Sequence, residues 1–179
     1  VPAIFLGGNM NLTLIGMPAA GKSTIGVILA KTLGMHFVDT DILIQEKEGE
    51  LLQNIIDKKG NDYFKHVEEK VLCGMDVRNT VISTGGSAIY YPAAMEHLKK
   101  DGIVIYIDVE FEEIERRLDN ISTRGITLAK GETLKDLYNK RVPLYEKYAD
   151  LTLKSEAGMT VEECIDAIVK ALRISGKLK

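Results

Sequence analysis

Short apolar runs alternate with amphipathic stretches along most of the chain. Runs of consecutive hydrophobic residues are typical of strands that are buried on both faces of a sheet. They lie at residues 11–15, 36–39, 80–83, 103–107 and 151–153. Helical patterns separate all of these runs, beginning with a helix predicted over 22–33. Strands that alternate with helices indicate an α/β fold, with helices covering both faces of a parallel sheet.

The last helical pattern is the clearest one. Thr160 and Glu163 have the spacing of a capping box, in which each side chain bonds the backbone N–H of the other residue. Apolar residues then recur at helical spacing. They are Val161, Ile165, Ile168, Val169 and Leu172. We expect this helix to contribute to packing alone.

Two segments interrupt the alternation. Residues 42–76, between the second and third predicted strands, carry two or three helical patterns broken near Gly49 and Gly60. A crossover connection needs only one helix, so this segment predicts a small helical subdomain. Residues 119–132 are polar and contain two glycines, and a loop of this length in a compact domain is typical of a lid. A new helix is predicted to begin at Thr133.

Composition and charge limit the classes of function. A chain of 179 residues with 45% hydrophobic and 27% charged residues is typical of one soluble globular domain. With 23 basic and 26 acidic residues the net charge is −3, which gives no field that would attract nucleic acid or an anionic membrane. No apolar run reaches the length of a membrane span. We therefore expect a cytoplasmic protein that binds neither nucleic acid nor membranes.

The start of the domain is expected at Met10, the first methionine of the chain. Residues 1–9 precede it and lie just before the first predicted strand, so we interpret them as a ragged leader or an expression remnant. Residues 10–179 are then expected to form a single domain.

The residues between the first predicted strand and the first helix match the phosphate-loop pattern G-x-x-x-x-G-K-S. Gly16 and Gly21 allow successive backbone N–H groups to face phosphate oxygens, and the helix N-terminus adds its positive end. Lys22 is expected to reach the β and γ phosphates, and the Ser23 hydroxyl to bind Mg²⁺. This pattern predicts binding of a nucleoside triphosphate with Mg²⁺. The predicted nucleotide-binding residues here are Gly16, Ala19, Ala20, Gly21, Lys22, Ser23 and Thr24.

Two carboxylates, Asp39 and Asp41, follow the second predicted strand. The carboxyl ends of parallel strands meet at one edge of a sheet, so both residues are expected near the phosphate loop. Asp39 is suited to hold the metal through water, and Asp41 to orient or deprotonate a hydroxyl nucleophile. The alternative is that one of them simply caps the following helix.

In order and spacing, these motifs and others resemble those of shikimate kinases. The matching segments are the phosphate loop and residues 37–41, 60–68, 83–87, 123–125 and 141–145. The resemblance extends from Met10 to about residue 171. It implies a three-layer P-loop kinase fold, similar to that of nucleoside monophosphate kinases, with a five-stranded parallel sheet in the order 2-3-1-4-5.

The resemblance also implies an activity. Shikimate kinases transfer the γ-phosphoryl group of ATP to a ring hydroxyl of shikimate, in the pathway to the aromatic amino acids. Residues 42–76 then correspond to a substrate-binding subdomain, and residues 119–132 to a lid that closes over ATP. The expected partners are ATP and a small, acidic, hydroxylated metabolite, and the expected enzyme is a monomer.

On the acceptor side, the resemblance places Asp41 at the reacting hydroxyl and Arg141 at the substrate carboxylate. Gly85 and Gly86 correspond to glycines that line the substrate, which agrees with the freedom of glycine to let backbone approach a ligand closely. A guanidinium suits a carboxylate because its planar donors meet two oxygens at once.

On the nucleotide side, Asp39 corresponds to the carboxylate near Mg²⁺, where the phosphate-loop serine also binds. Arg124 corresponds to the lid arginine that reaches the phosphates, and Arg117 to the arginine that stacks near the adenine. Lys22 and Arg124 therefore join Asp41 as the expected catalytic residues.

Several departures set this sequence apart from the shikimate kinase pattern. Lys65 stands where the family has an arginine, so a point charge replaces a bidentate fork. Ser87 stands where the family has the third glycine of a G-G-G turn. The lid motif reads Arg124-Gly125 instead of arginine-proline, and residues 154–158 lack the usual arginine. Lys65 and Ser87 both belong to the predicted substrate-binding set, so the acceptor half is changed more than the nucleotide half.

The sequence leaves two other functions open. A kinase of the same fold can act on another hydroxy acid, a sugar acid, an amino-acid hydroxyl or a nucleotide, and Lys65 and Ser87 favour keeping that option. A non-catalytic nucleotide-binding regulator is the second alternative. The presence of Asp39, Asp41 and Arg124 argues against it.

Overall fold

A five-stranded parallel sheet carries the fold in the computed structural model, which describes residues 10–119, 126 and 128–177. The strands are β1 (Asn11–Ile15), β2 (His36–Asp39), β3 (Thr80–Ser83), β4 (Gly102–Val109) and β5 (Leu151–Ser155). Their order is β2-β3-β1-β4-β5, and every neighbouring pair is parallel. All five predicted strands and the order implied by the resemblance are therefore confirmed.

Burial along the strands explains why the apolar runs predicted them. All residues of the central strand β1 and of its neighbour β3 are buried, as expected for strands covered on both faces. The edge strands differ, because β2 is only half-buried and β5 alternates between exposed and buried positions. The continuous apolar runs therefore mark the centre of the sheet most clearly.

The described α-helices connect the strands, except for the last one, which follows β5. They are α1 (Lys22–Leu33), α2 (Thr40–Glu48), α3 (Leu52–Lys59), α4 (Asn61–Cys73), α5 (Pro92–Lys100), α6 (Phe111–Asp119), α7 (Leu134–Tyr148) and α8 (Val161–Ile174). Helix α1 packs with α8, and α4 packs with α5. None of the helices in the described ranges is both long enough and apolar enough to cross a membrane.

The predicted capping box of α8 forms as expected. The Thr160 hydroxyl accepts a hydrogen bond from the Glu163 backbone N–H at 3.2 Å, and the Glu163 carboxylate accepts one from the Thr160 N–H at 2.8 Å. Helix α7 begins after Thr133 with a second capping box, completed by Asp136. Four of the five predicted apolar positions of α8 are buried, and Val161 is half-buried.

Two hydrophobic clusters fill the described interior. The larger one surrounds the sheet and includes side chains from β1, β3 and β4 together with α1 and α8. The smaller one consists of Ile44, Ile55, Phe64 and Val67, which come from α2, α3 and α4. Helices α3 and α4 lie within the segment 42–76, and α2 begins just before it at Thr40. Helices α2 and α3 end at Gly49 and Gly60, where the sequence predicts breaks. The division into a core and a subdomain remains a prediction.

Part of the predicted lid and the predicted leader lie outside the described residues. This applies to residues 1–9, to 120–125 and to 127, and therefore to Arg124. From Leu128 onward the chain is described again, and Glu132 forms an ion pair with Lys140 of α7.

Candidate active site

The loop between β1 and α1 curls around the ammonium group of Lys22. Its Nζ donates hydrogen bonds of 2.8 Å to the carbonyl oxygens of Gly16 and Met17, and the side chain is buried. A side chain at Gly16 would place its Cβ 2.7 Å from the carbonyl oxygen of Ile107, so only glycine allows this approach of the loop to β4. Gly21 has a left-handed φ of 89° and precedes α1 without a side-chain cap, which leaves the first N–H groups of the helix for an anion.

Arg117 lies against the phosphate loop. Its Nη1 donates to the carbonyl oxygen of Ala19 at 3.1 Å, and its Nε donates to Glu113 at 2.6 Å. Ala19 has a φ of 65°, an uncommon left-handed conformation for a residue with a Cβ. Hydrogen bonds from Arg116 and Arg117 lower the pKa of Glu113 to about 2, so Glu113 stays ionised and holds the arginine in place. The predicted adenine contact of Arg117 stays a prediction.

Asp39 joins the phosphate loop to the start of α2. The Ser23 hydroxyl donates to Asp39 Oδ2 at 2.6 Å and lies 3.3 Å from the Ser83 hydroxyl. The other oxygen, Oδ1, accepts a hydrogen bond of 3.0 Å from the Asp41 backbone N–H and thereby caps α2. The proposed helix-capping role of an aspartate is thus present in Asp39, together with its contact to the predicted metal-binding serine.

Glycines follow β3 where charged side chains approach the backbone. A Cβ on Gly85 would lie 2.6 Å from Glu68 Oε1 and 2.9 Å from Asp41 Oδ1. A Cβ on Gly86 would lie 2.7 Å from Arg141 Nη1. All three distances are shorter than van der Waals contact allows, so a side chain at either position would displace the charged ends of these neighbours.

Arg141 is buried on α7, with only 2% of its surface exposed. Its guanidinium lies over the Tyr90 ring at 5.4 Å and donates to the Tyr90 hydroxyl at 3.4 Å. Tyr145, one turn later, donates to the Gly86 carbonyl oxygen at 2.6 Å. Within the described ranges no carboxylate pairs with Arg141. A buried guanidinium without a counter-charge is suited to an anionic ligand.

Glu68 is a site residue for which the sequence predicted no role. It is fully buried on α4, and its Oε2 accepts hydrogen bonds from the Ser87 hydroxyl at 2.6 Å and the Tyr91 hydroxyl at 2.8 Å. Burial raises the pKa of the Glu68 carboxyl, while these two hydrogen bonds oppose the shift. The sequence does contain a pattern that marks Glu68. It falls at helical spacing with the buried Phe64 and Val67, and an acidic residue on such an apolar helix face is unusual.

One cavity of about 820 Å³ brings most of these groups together. The predicted site residues that line it are Lys22, Ser23, Asp39, Asp41, Gly85, Gly86, Ser87 and Arg141. Lys65 is exposed and lines a neighbouring cavity of about 500 Å³, which shares Ser87 and Arg141 with the first. The structure therefore joins the phosphate loop to the predicted acceptor side in one space and leaves Lys65 beside it.

Comparison with known proteins decides the family. The model of the family described as shikimate kinase matches residues 18–173. The chain belongs to the shikimate kinase family. The shikimate kinase of Paracidovorax citrulli is 31% identical over 175 residues, which cover 95% of this chain and 96% of that protein. As a member of the shikimate kinase family, the protein is an ATP-dependent small-molecule kinase.

Two further relatives show that similar chains occur both as separate proteins and as part of a longer protein. The structure of shikimate kinase from Acinetobacter baumannii in complex with shikimate superposes with a TM-score of 0.82 at 31% identity and covers 96% of both chains. The human protein named threonine synthase-like 1 is 35% identical over 172 residues. These cover 93% of this chain and 23% of the human protein, so a shikimate kinase-like unit also forms a minor part of a longer chain.

Proposed function

We propose that this shikimate kinase family member transfers the γ-phosphoryl group of ATP to a ring hydroxyl of shikimate. The observation that carries the proposal is the single cavity that joins Lys22 and Ser23 of the phosphate loop to Asp41 and Arg141. A donor phosphate and a carboxylated acceptor bound at its two ends would meet inside it. The shikimate-bound structure from Acinetobacter baumannii, which shares the fold at a TM-score of 0.82, supports shikimate as the acceptor.

At the nucleotide end, two loop carbonyls hold Lys22 within the phosphate loop, where its ammonium group would bind phosphate oxygens. The Ser23 hydroxyl and the Asp39 carboxylate are oxygen donors of the kind that Mg²⁺ prefers. In the described part of the chain no three His, Cys, Asp or Glu residues form a metal cluster. Two protein oxygens are enough, because Mg²⁺ keeps several waters and takes its other ligands from the phosphates. When bound, Mg²⁺ neutralises charge on the transferring phosphoryl group.

At the acceptor end, Arg141 binds the carboxylate and Asp41 orients the hydroxyl and receives its proton. The hydroxyl oxygen forms a bond to the γ-phosphorus, the bond from that phosphorus to the bridging oxygen of ADP breaks, and the proton passes to Asp41 and then to solvent. Phosphoryl transfer needs little covalent help from the protein, so positioning and charge stabilisation supply the catalysis. The proposal keeps Arg124 as the lid arginine on the phosphates, and a cytoplasmic monomer as the working form.

A coupled ADP-release assay with Mg-ATP and shikimate tests this function, with mass spectrometry of the acceptor to detect the phosphate ester. We expect turnover well above the ATPase rate measured without acceptor. Arg141→Lys should raise the KM for shikimate by at least about tenfold, because the bidentate contact is lost, and should leave the affinity for ATP unchanged. Lys147→Met, an exposed change on the same helix, is the matched control. The absence of shikimate-dependent ADP release in the wild type would refute the proposed function.

A further inference from the structure

Glu68 has one satisfied and one unsatisfied carboxylate oxygen. Oε2 accepts from the Ser87 and Tyr91 hydroxyls, whereas Oε1 is buried and has no hydrogen-bond partner among the described residues. A buried carboxylate oxygen that lacks a donor is costly, so it points to a ligand that supplies one. Glu68 lines the same cavity as Asp41 and Arg141, so the missing donor belongs to the acceptor pocket.

Among the described residues, no cation forms an ion pair with Glu68. Arg141 acts on it only through space, and its guanidinium hydrogen-bonds the Tyr90 hydroxyl instead. Lys65 lies on the same helix, three residues before Glu68, but is exposed and lines the neighbouring cavity. Burial favours the neutral acid, and a cationic ligand beside Glu68 would favour its charged form.

Side chains of opposite charge lie against the two consecutive glycines Gly85 and Gly86, which we call the glycine turn. Glu68 Oε1 and Asp41 Oδ1 both lie against Gly85, while Arg141 Nη1 lies against Gly86. Shikimate offers a carboxylate for the guanidinium but only neutral hydroxyls for Glu68. A ligand that carries an ammonium group beside its carboxylate satisfies both the hydrogen bond and the charge at Glu68.

We propose that the acceptor pocket takes hydroxylated α-amino acids as zwitterions, with the carboxylate on Arg141, the ammonium on Glu68 Oε1 and the side-chain hydroxyl at Asp41. This inference rests on the proposed function and widens its acceptor class. The step is the same: the hydroxyl oxygen bonds to the γ-phosphorus, the bond to ADP breaks, and the proton leaves through Asp41. The products are an O-phosphorylated amino acid and ADP.

Ser87 acquires a role in this proposal. Its hydroxyl, at a position where the family has glycine, binds Oε2 of Glu68 at 2.6 Å. Together with Tyr91 it fixes the rotation of the carboxylate and leaves Oε1 as the oxygen that requires a donor. The replacement of the family's glycine by Ser87 thus serves to orient the carboxylate that binds the ammonium group.

The test compares acceptors that differ only in the ammonium group. ADP release and phosphate-ester formation are measured with L-homoserine against 4-hydroxybutyrate, with L-serine against 3-hydroxypropionate, and with shikimate. We expect at least one amino acid to exceed its deaminated partner by about tenfold or more in kcat/KM, because a site built to pair a charged group discriminates against an analogue that lacks it.

A substitution then assigns the discrimination to Glu68. In Glu68→Gln the amide oxygen can still accept from Ser87 and Tyr91, while the amide nitrogen is a donor that cannot bind an ammonium. We expect the ratio between amino acid and deaminated partner to fall to near one. Glu69→Gln, at the next residue and only partly exposed, should leave the ratio unchanged. Thermal unfolding of both variants shows whether the fold is kept.

The outcomes separate this proposal from the proposed function. Preference for the amino acid that disappears in Glu68→Gln supports the amino-acid acceptor. Turnover of shikimate with no amino acid above the ATPase background, or equal turnover of amino acid and deaminated partner, overturns it and leaves the shikimate kinase activity standing. A preference that survives in a folded Glu68→Gln also overturns it. No turnover of any acceptor overturns the proposed function itself.

Discussion

At the scale of single residues, the acceptor pocket depends on two glycines that leave room for charged neighbours. Gly85 separates the backbone from the carboxylates of Glu68 and Asp41, and Gly86 separates it from the guanidinium of Arg141. The resemblance to shikimate kinases predicted that these two glycines line the substrate. The structure adds that the side chains of the site itself occupy the space which a methyl group would need.

Asp41→Asn tests the residue that is proposed to receive the hydroxyl proton. An amide cannot accept that proton, so kcat should fall by at least about a hundredfold, the usual contribution of a positioned general base. The backbone N–H of residue 41 still bonds Asp39, so the start of α2 should persist. Steady-state kinetics and a fluorescent-nucleotide titration measure kcat and the affinity for ATP separately.

The affinity for ATP is expected to stay within about twofold in this variant, since Asp41 is proposed to act on the acceptor. Asp62→Asn, an exposed acid on α4, is the control for loss of one negative charge. Loss of ATP binding in Asp41→Asn would reassign this residue to the metal site.

At the scale of elements, the start of α1 differs from the starts of α7 and α8. Helices α7 and α8 begin with complete capping boxes, in which side chains bond the first free N–H groups. Helix α1 begins at Lys22, inside the site, and the preceding Gly21 makes no side-chain cap. Its first N–H groups are therefore left for phosphate, whereas in α7 and α8 the Thr and Asp or Glu side chains of the boxes bond the N–H groups at the helix start.

Thr160→Ala tests the cap of α8. The substitution removes the acceptor for the Glu163 N–H, so the free energy of unfolding should fall by about 1 kcal/mol. Urea denaturation measures the loss, and kcat at low temperature should not change because α8 lies outside the site. Glu162→Ala, an exposed change in the same turn but outside the capping box, is the control. A fall in kcat without a fall in stability would show that α8 has a role in the chemistry.

At the scale of the whole molecule, the two hydrophobic clusters imply two levels of stability. The main cluster surrounds the sheet, whereas the cluster of Ile44, Ile55, Phe64 and Val67 is small and belongs to α2, α3 and α4. Opening of a region is easier when few buried contacts oppose it. The acceptor pocket lies between these two parts, since Glu68 comes from α4 and Arg141 from α7.

Hydrogen exchange tests this difference. Backbone amides of α3 should exchange at least about tenfold faster than those of β1 and β4, because α3 opens without unfolding the sheet. Helix α8, which packs on the main cluster, is the internal control and should exchange as slowly as the central strands. Equal protection of α3 and β1 would show that the molecule opens as one unit.

Much of the fold could be predicted from sequence because the signals are local. Apolar runs predict buried strands, the Thr160 box predicts the start of α8, and Gly49 and Gly60 predict the ends of two helices. The phosphate loop is also local, since its glycines, Lys22 and Ser23 act through backbone geometry within eight consecutive residues. The order of the strands followed from resemblance and not from these patterns.

The sequence by itself therefore determined the elements and the nucleotide end of the site, because neighbouring residues create both. The resemblance named residues of the acceptor end, but only the tertiary structure decided how they and Glu68 come together. Glu68 meets Ser87 and Tyr91 across 19 and 23 residues of sequence, and Tyr145 meets Gly86 across 59. Contacts between distant segments depend on how α4 and α7 pack around the glycine turn, and no local pattern records that packing. The burial of Glu68 near the Arg141 guanidinium follows from the fold alone.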